Sequence, residues 1–149
     1  MKINTYKMRL NENRISMLVK EETHEYEADN VDRSEIAVDM MQMIYDIGNL
    51  PEEYIFMIAL GGGRDVKGVF EISHGILNAS LIHPREVFIR AILAGASSII
   101  LVHNHPSGQL GISEDDNNVT TRIRLAGELL GINLVDHLVI AGDAFTSII

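Results

Sequence analysis

The stretch from Ser98 to Asp116 constrains this chain most. An apolar run, Ser98-Ile-Ile-Leu-Val102, leads without a break into His103-Asn104-His105. Residues i and i+2 of a strand face the same way, so a strand here delivers both imidazoles to one side of its end. Pro106 ends ladder pairing, and Gly108 and Gly111 permit a tight reversal. A helical pattern then opens behind Ser113-Glu-Asp-Asp116. Ser is a good N-cap, and an acidic residue three positions on has the spacing of a capping box, which fixes where Asp116 points. His103, His105 and Asp116 are therefore expected to converge. Two imidazole nitrogens and one carboxylate oxygen suit Zn²⁺ and leave a fourth position for water, as catalytic rather than structural zinc sites do.

The rest of the chain supplies strands and helices around that stretch. Residues 1–30 hold short strand-like patches, Tyr6 to Leu10 and Arg14 to Val19, and the acidic run Glu21 to Glu27. They are expected to form an N-terminal arm or an edge hairpin of the same domain. Asp32-Arg-Ser-Glu35 has a capping-box spacing and opens a helix. Ile36, Met40, Met43, Ile44 and Ile47 fall on one face of it, and Gly48 is a natural stop. Tyr54 to Leu60 is a continuous apolar strand, expected to be buried on both faces. Gly61-Gly-Gly63 lacks the Lys-Ser/Thr of a phosphate loop and is expected to be a hairpin turn before the return strand Lys67 to Ser73. Gly75 to Ile82 continues as a strand or extended segment.

Pro84 occupies the favoured first position of a second helix, with Phe88, Ala91 and Ile92 as its apolar stripe. The third helix begins at Ser113, with Val119, Ile123, Ala126 and Leu130 as its stripe and Gly131 as its end. Strands over Ile132 to Ile140 and Ala144 to Ile149 complete the chain. The pattern predicts one α/β domain, a mixed sheet flanked by helices.

Composition removes several classes of function. No apolar run approaches the roughly 20 residues that span a bilayer, so no membrane partner is expected. The N-terminal residues lack an apolar core like that of a signal peptide, and the expected location is cytoplasmic. The absence of cysteine excludes disulfides and thiolate zinc sites. With 12 basic and 21 acidic residues the formal net charge is −9, so strong direct binding to DNA is not expected. Arg122 with Arg124 is the best candidate for a local basic patch, although a solvated helix face accounts for the pair equally well. The letters His103-Asn104-His105 do not indicate an HNH nuclease, whose residues are dispersed over a longer unit.

The combined pattern, His-x-His, seven residues, then Ser-x-x-Asp, resembles the motif of the JAMM (MPN+) metalloproteases. The words Asn78-Ala-Ser-Leu-Ile-His-Pro-Arg-Glu86, His103-Asn-His-Pro-Ser-Gly108 and Val135-Asp-His-Leu-Val139 are similar to the RadC branch of that family. The resemblance covers residues 31–149 and implies a single JAMM/MPN-like, cytidine-deaminase-like fold. It also implies a zinc-dependent peptidase or isopeptidase acting through water, with His103, His105 and Asp116 as metal ligands. In this family the general base is a Glu at the head of an early strand. The matching position is Glu53, with Glu52 and Glu71 as rivals. The family counterpart of Ser113 donates its hydroxyl to the developing oxyanion.

RadC-like proteins carry a DNA-repair association, so DNA-repair proteins join an unidentified peptide or isopeptide among the expected partners. A non-catalytic accessory module in repair or recombination is the alternative function. Residues 1–30 are not expected to hold the helix-hairpin-helix region that RadC proteins often carry. Asp136 and His137 are left open between a role beside the metal ligands and an ordinary structural one.

Overall fold

The computed structural model describes residues 1–75 and 82–149. The expected extended segment from 75 to 82 falls mostly outside the described residues. Seven strands are described: β1 (Lys2–Leu10), β2 (Ser16–Glu25), β3 (Glu53–Leu60), β4 (Val66–Gly75), β5 (Ser98–Asn104), β6 (Asn133–Ala141) and β7 (Ala144–Ser147). They form one sheet in the order β2-β1-β4-β3-β5-β6-β7. The β1–β4 and β5–β6 pairs are parallel and the others antiparallel, so the sheet is mixed. The helices are α1 (Ser34–Tyr45), α2 (Pro84–Leu93) and α3 (Glu114–Leu130). β1 and β2 form a hairpin that extends one edge of the sheet through β4.

The strand alternation divides the core into two layers. Phe56, Ile58, Val102 and Ile140 face α1 and pack on Ile36, Ala37, Met40 and Met41. Ile55, Met57, Ile99 and Leu101 face the other way, against Val87, Phe88 and Ala91 of α2 and Val119 and Ile123 of α3. Both faces of β3 and β5 are thus covered, which is why their sequences are almost continuously apolar. Burying each such side chain fully contributes roughly 1.5–3 kcal/mol before the entropy of ordering it is subtracted.

Three local features differ from the sequence reading. The N-cap of α1 is Arg33 and makes no side-chain cap bond. The Ser34 hydroxyl, the nearest capping group, instead donates to Asp136 Oδ2 on β6 at 2.7 Å. α1 ends at Tyr45 through Asp46 in the left-handed region (φ 49°), before Gly48 is reached. Gly48 serves a close approach: a Cβ there would lie 2.1 Å from the Gly142 carbonyl oxygen. Met43 and Leu130 complete helical stripes in the sequence, yet both are exposed. On α3 that place is taken by Gly127, where a Cβ would meet the Ile132 carbonyl.

Candidate metal centre

β5 lies inside the sheet between β3 and β6, and its last residues carry the site. His103 pairs with Ile55 of β3 on one side and Val139 of β6 on the other. The ladder runs one step further, because the His105 N–H donates to the Ile140 carbonyl at 2.8 Å. His103 and His105 consequently project from the same face, the one that α3 covers. The reversal after Pro106 closes through Gly108, whose N–H donates to the His105 carbonyl at 3.0 Å with φ at +79°. Glycine adopts that left-handed conformation without steric cost.

Ser113 then caps α3. The Asp116 N–H donates to Ser113 Oγ (3.0 Å) and the Ser113 N–H donates to Asp116 Oδ2 (2.8 Å), a complete capping box. The box turns Asp116 towards the imidazoles. His103 Nε2 and His105 Nε2 are 3.0 Å apart. Asp116 Oδ1 is 3.1 Å from His103 Nε2, and Oδ2 is 3.4 Å from His105 Nε2. Among the described residues these three are the group that could hold a metal ion.

The chemistry of this donor set fits a cation. His105 Nδ1 lies 2.9 Å from the Gln109 carbonyl, which can only accept, so Nδ1 carries a proton. A neutral His105 then presents a bare Nε2 to the cluster. His103 Nε2 and the Asp116 carboxylate lie within contact distance of it. A proton can bridge one pair of them, whereas a metal ion satisfies all three. Ligands about 2.0–2.1 Å from a tetrahedral zinc stand about 3.3 Å from one another, close to the spacing here. Burial raises the pKa of the Asp116 carboxyl. The His103 ring and the N–H and hydroxyl of Ser113 outweigh burial and hold it well below the usual carboxylate range. Asp116 is thus ionised and ready to ligate.

The cluster opens into a cavity of about 210 Å³, lined by Glu53, Ile55, His105, Ser107, Ser113 and Asp116 among others. Glu53 is the first residue of β3, two before Ile55, and so shares the face of His103. Glu52 is exposed, with its carboxylate 3.9 Å from His74 on the outer surface. Glu71 pairs with Phe56 on the opposite face and contacts His74 at 3.2 Å. Neither lines the cavity. Ser113 does, and its cap bond uses an oxygen lone pair, which leaves its hydroxyl proton for another acceptor.

Three further residues serve the site: Asn104 and Thr120, which the sequence reading did not single out, and His137, which it left open. Asn104 sits between the histidines and faces the opposite side, buried. Its Oδ1 accepts the Tyr54 N–H at 2.7 Å and its Nδ2 donates to the Glu52 carbonyl at 2.9 Å. The backbone on both sides of Glu53 is thereby pinned to the strand that carries the two histidines. The partner of His103 Nδ1 is His137 Nε2, at 2.8 Å, and not Asp136. Asp136 instead accepts the His137 N–H and the hydroxyls of Ser34 and Ser147. His137 in turn lies 2.6 Å from Thr120 Oγ1. Desolvation, reinforced by the nearby His103, pushes the His137 imidazole down to about 3, so it is neutral. A polar residue inside the apolar strand Leu134 to Ile140 was the available signal for His137. For Thr120 it was the one-turn spacing from Asp116.

Comparison with known proteins agrees with this geometry. The model of the RadC-like JAB domain family matches residues 31–149. A UPF0758 protein of Clostridium kluyveri is 45% identical over 103 residues, covering 69% of this chain and 45% of the relative. One from Geotalea uraniireducens is 44% identical over 98 residues, 66% of this chain and 43% of the relative. One from Staphylococcus epidermidis is 41% identical over 116 residues, 78% and 50% respectively. The chain thus spans about half the length of the curated relatives it matches. No helix among the described residues is long and apolar enough to cross a membrane. On the match over residues 31–149, together with the mixed sheet and the His-His-Asp cluster at the end of β5, this chain belongs to the RadC-like JAB domain family.

Proposed function

We propose that this chain is a zinc-dependent hydrolase of amide bonds, of peptidase or isopeptidase type. The observation that carries the reading is the convergence of His103 Nε2, His105 Nε2 and the Asp116 carboxylate beside a cavity that Glu53 and Ser113 also line. Zinc held by these three residues would supply Lewis acidity and make water nucleophilic near neutral pH. The remaining work falls to the protein's own groups. Glu53 takes a proton from the attacking water and returns it to the leaving nitrogen. The free hydroxyl proton of Ser113 is donated to the carbonyl oxygen as negative charge develops on it. The His105 ring is held in register by the Gln109 carbonyl, and the capping box holds Asp116, so the ligands need little reorganisation.

The test is a cleavage screen of the zinc-loaded protein over peptide and isopeptide libraries, repeated with Glu53→Gln. That substitution keeps size and removes basicity. Turnover should drop by roughly 100-fold or more while zinc content and folding stay intact, the scale expected for loss of a general base. Glu71→Gln, on the opposite face, should be far milder. Equal losses from the two variants would remove Glu53 from this role. A zinc-loaded protein that cleaves nothing in either library would favour an accessory role in DNA repair or recombination.

A further inference from the structure

We infer that the face of the sheet opposite the metal centre carries a binding site for an organic cation, held by Tyr45, Tyr54, Glu21 and Glu71. The ligand group is an alkylammonium or alkylguanidinium, as a lysine or arginine side chain presents. The inference stands apart from the zinc reading and uses none of the residues assigned to hydrolysis.

Strand alternation assembles the site. Tyr54 and Phe56 are two positions apart on β3, so both project to the α1 side, away from Glu53 and Ile55. Glu71 pairs with Phe56 across β3 and β4 and shares that side. Tyr45 is the last residue of α1, and its ring stacks on Phe56 with centroids 4.3 Å apart. The Tyr54 ring stands 5.6 Å from Phe56 and nearly parallel to it. Glu21 comes from β2, at the irregularity where its pairing with β1 shifts register. With Leu50 these residues line a cavity of about 260 Å³.

The lining is aromatic and negative, and among the described residues no lysine or arginine belongs to it. Glu21 Oε2 lies 3.6 Å from Lys7 Nζ, and Glu71 Oε1 lies 3.2 Å from His74 Nδ1. The second oxygen of each carboxylate has no such contact with the described residues. The Tyr45 and Tyr54 hydroxyls have no hydrogen-bond partner among them either, and both oxygens can accept. An aromatic ring attracts a cation within about 6 Å of its centroid through its negative face. The last turn of α1 holds no basic residue, so the partial negative charge of its terminal carbonyls is uncompensated beside Tyr45. Tyr45 registers this field: burial first, then the charges of Glu21, Glu71 and Glu22, raise the pKa of its phenol.

These features favour an organic cation over a metal ion or potassium. The Glu21 and Glu71 side chains are 43% and 48% exposed, so water screens them and a strongly hydrated ion gains little. A cation on an alkyl chain also sets apolar surface against the tyrosine rings and Leu50. Guanidinium is more weakly hydrated than ammonium and presents a planar fork to a carboxylate, so it should bind more tightly.

The test is an NMR titration of the full chain carrying ¹³C in its tyrosine rings. The probes are butylammonium, butylguanidinium, and lysine and arginine capped as N-acetyl methylamides, with potassium chloride as the inorganic control. Each organic cation is expected to give saturable shifts of the Tyr45 and Tyr54 rings, with dissociation constants of about 1–10 mM and the guanidinium forms tighter. Potassium at equal concentration should neither reproduce the shifts nor displace the probe. The double variant Glu21→Gln, Glu71→Gln changes two half-exposed side chains and should fold normally while binding about 10-fold more weakly. Tyr54→Leu should weaken binding by a similar factor. Tighter binding of the capped amino acids identifies a peptide as the source of the cation, and tighter binding of the simple cations identifies a free amine or guanidine; both results support the site.

The site is overturned if the shifts stay linear at concentrations about tenfold above that range, if potassium displaces the probes at equal concentration, or if the double glutamine variant binds as the wild type does. Should Tyr54→Leu fail to fold, the wild-type titration and the glutamine variant still decide.

Discussion

Asn104→Ala should be strongly destabilising for a residue that touches neither metal nor substrate. Its amide makes two short bonds, from the Tyr54 N–H at 2.7 Å and to the Glu52 carbonyl at 2.9 Å, with a longer one to the Leu50 carbonyl at 3.4 Å. A buried main-chain group that loses its partner costs about 1–3 kcal/mol. Two such groups give about 2–6 kcal/mol, and water entering the space left by the amide brings the expected loss to about 2–4 kcal/mol. Asn104→Asp should be no milder. Its carboxylate still accepts the Tyr54 N–H but faces two carbonyl oxygens with no proton to give. Urea melts at constant slope measure both losses. Zinc stoichiometry should be unchanged in Asn104→Ala, because Asn104 projects from the face opposite the histidines. A loss below about 0.5 kcal/mol, within the range of ordinary surface changes, would refute the claim that this amide pins the start of β3.

The other expectations are as follows. Tyr45 stacks on Phe56 at a ring separation of 4.3 Å, and burial, with the charges of Glu21, Glu71 and Glu22, raises its pKa. A raised folded-state pKa gives stability that is complete below the unfolded value near 10 and is lost as pH rises through the folded one. Unfolding free energy should therefore fall above pH ~10, and Tyr45→Phe should flatten that slope in alkaline melts. Gly127→Ala should be destabilising because its methyl would lie 2.3 Å from the Ile132 carbonyl oxygen, a cost of about 1–3 kcal/mol for overpacking that thermal melts would register. The net charge of −9 leads us to expect no nanomolar binding of duplex DNA near ~0.15 M salt, which a gel-shift titration checks.

The sequence was most informative where structure follows from local chemistry. The apolar run before His103, the His-x-His spacing and the Ser113 cap are each properties of a few adjacent residues, and together they brought the cluster into view. Pro84 at the start of α2 and Gly131 at the end of α3 were legible for the same reason. Features that join distant segments were not. The capping spacing of Asp32-Arg-Ser-Glu35 gave no hint that Ser34 would be drawn to Asp136, 102 positions away. Asp136 is the better hydrogen-bond acceptor for a metal-bound imidazole, yet strand alternation turns it from His103 and offers His137 instead. Asn104 was passed over as the spacer between two histidines, although a spacer in a strand must face the other layer, where it holds the approach to Glu53.

Zinc content of the purified protein tests the central claim most directly. Elemental analysis should find about one zinc per chain in the wild type. It should find essentially none in the double variant His103→Ala, His105→Ala, which should still fold because a core of this size does not depend on the metal as a zinc finger does. Unchanged zinc in a folded double variant would contradict the assignment of His103, His105 and Asp116 as the metal centre.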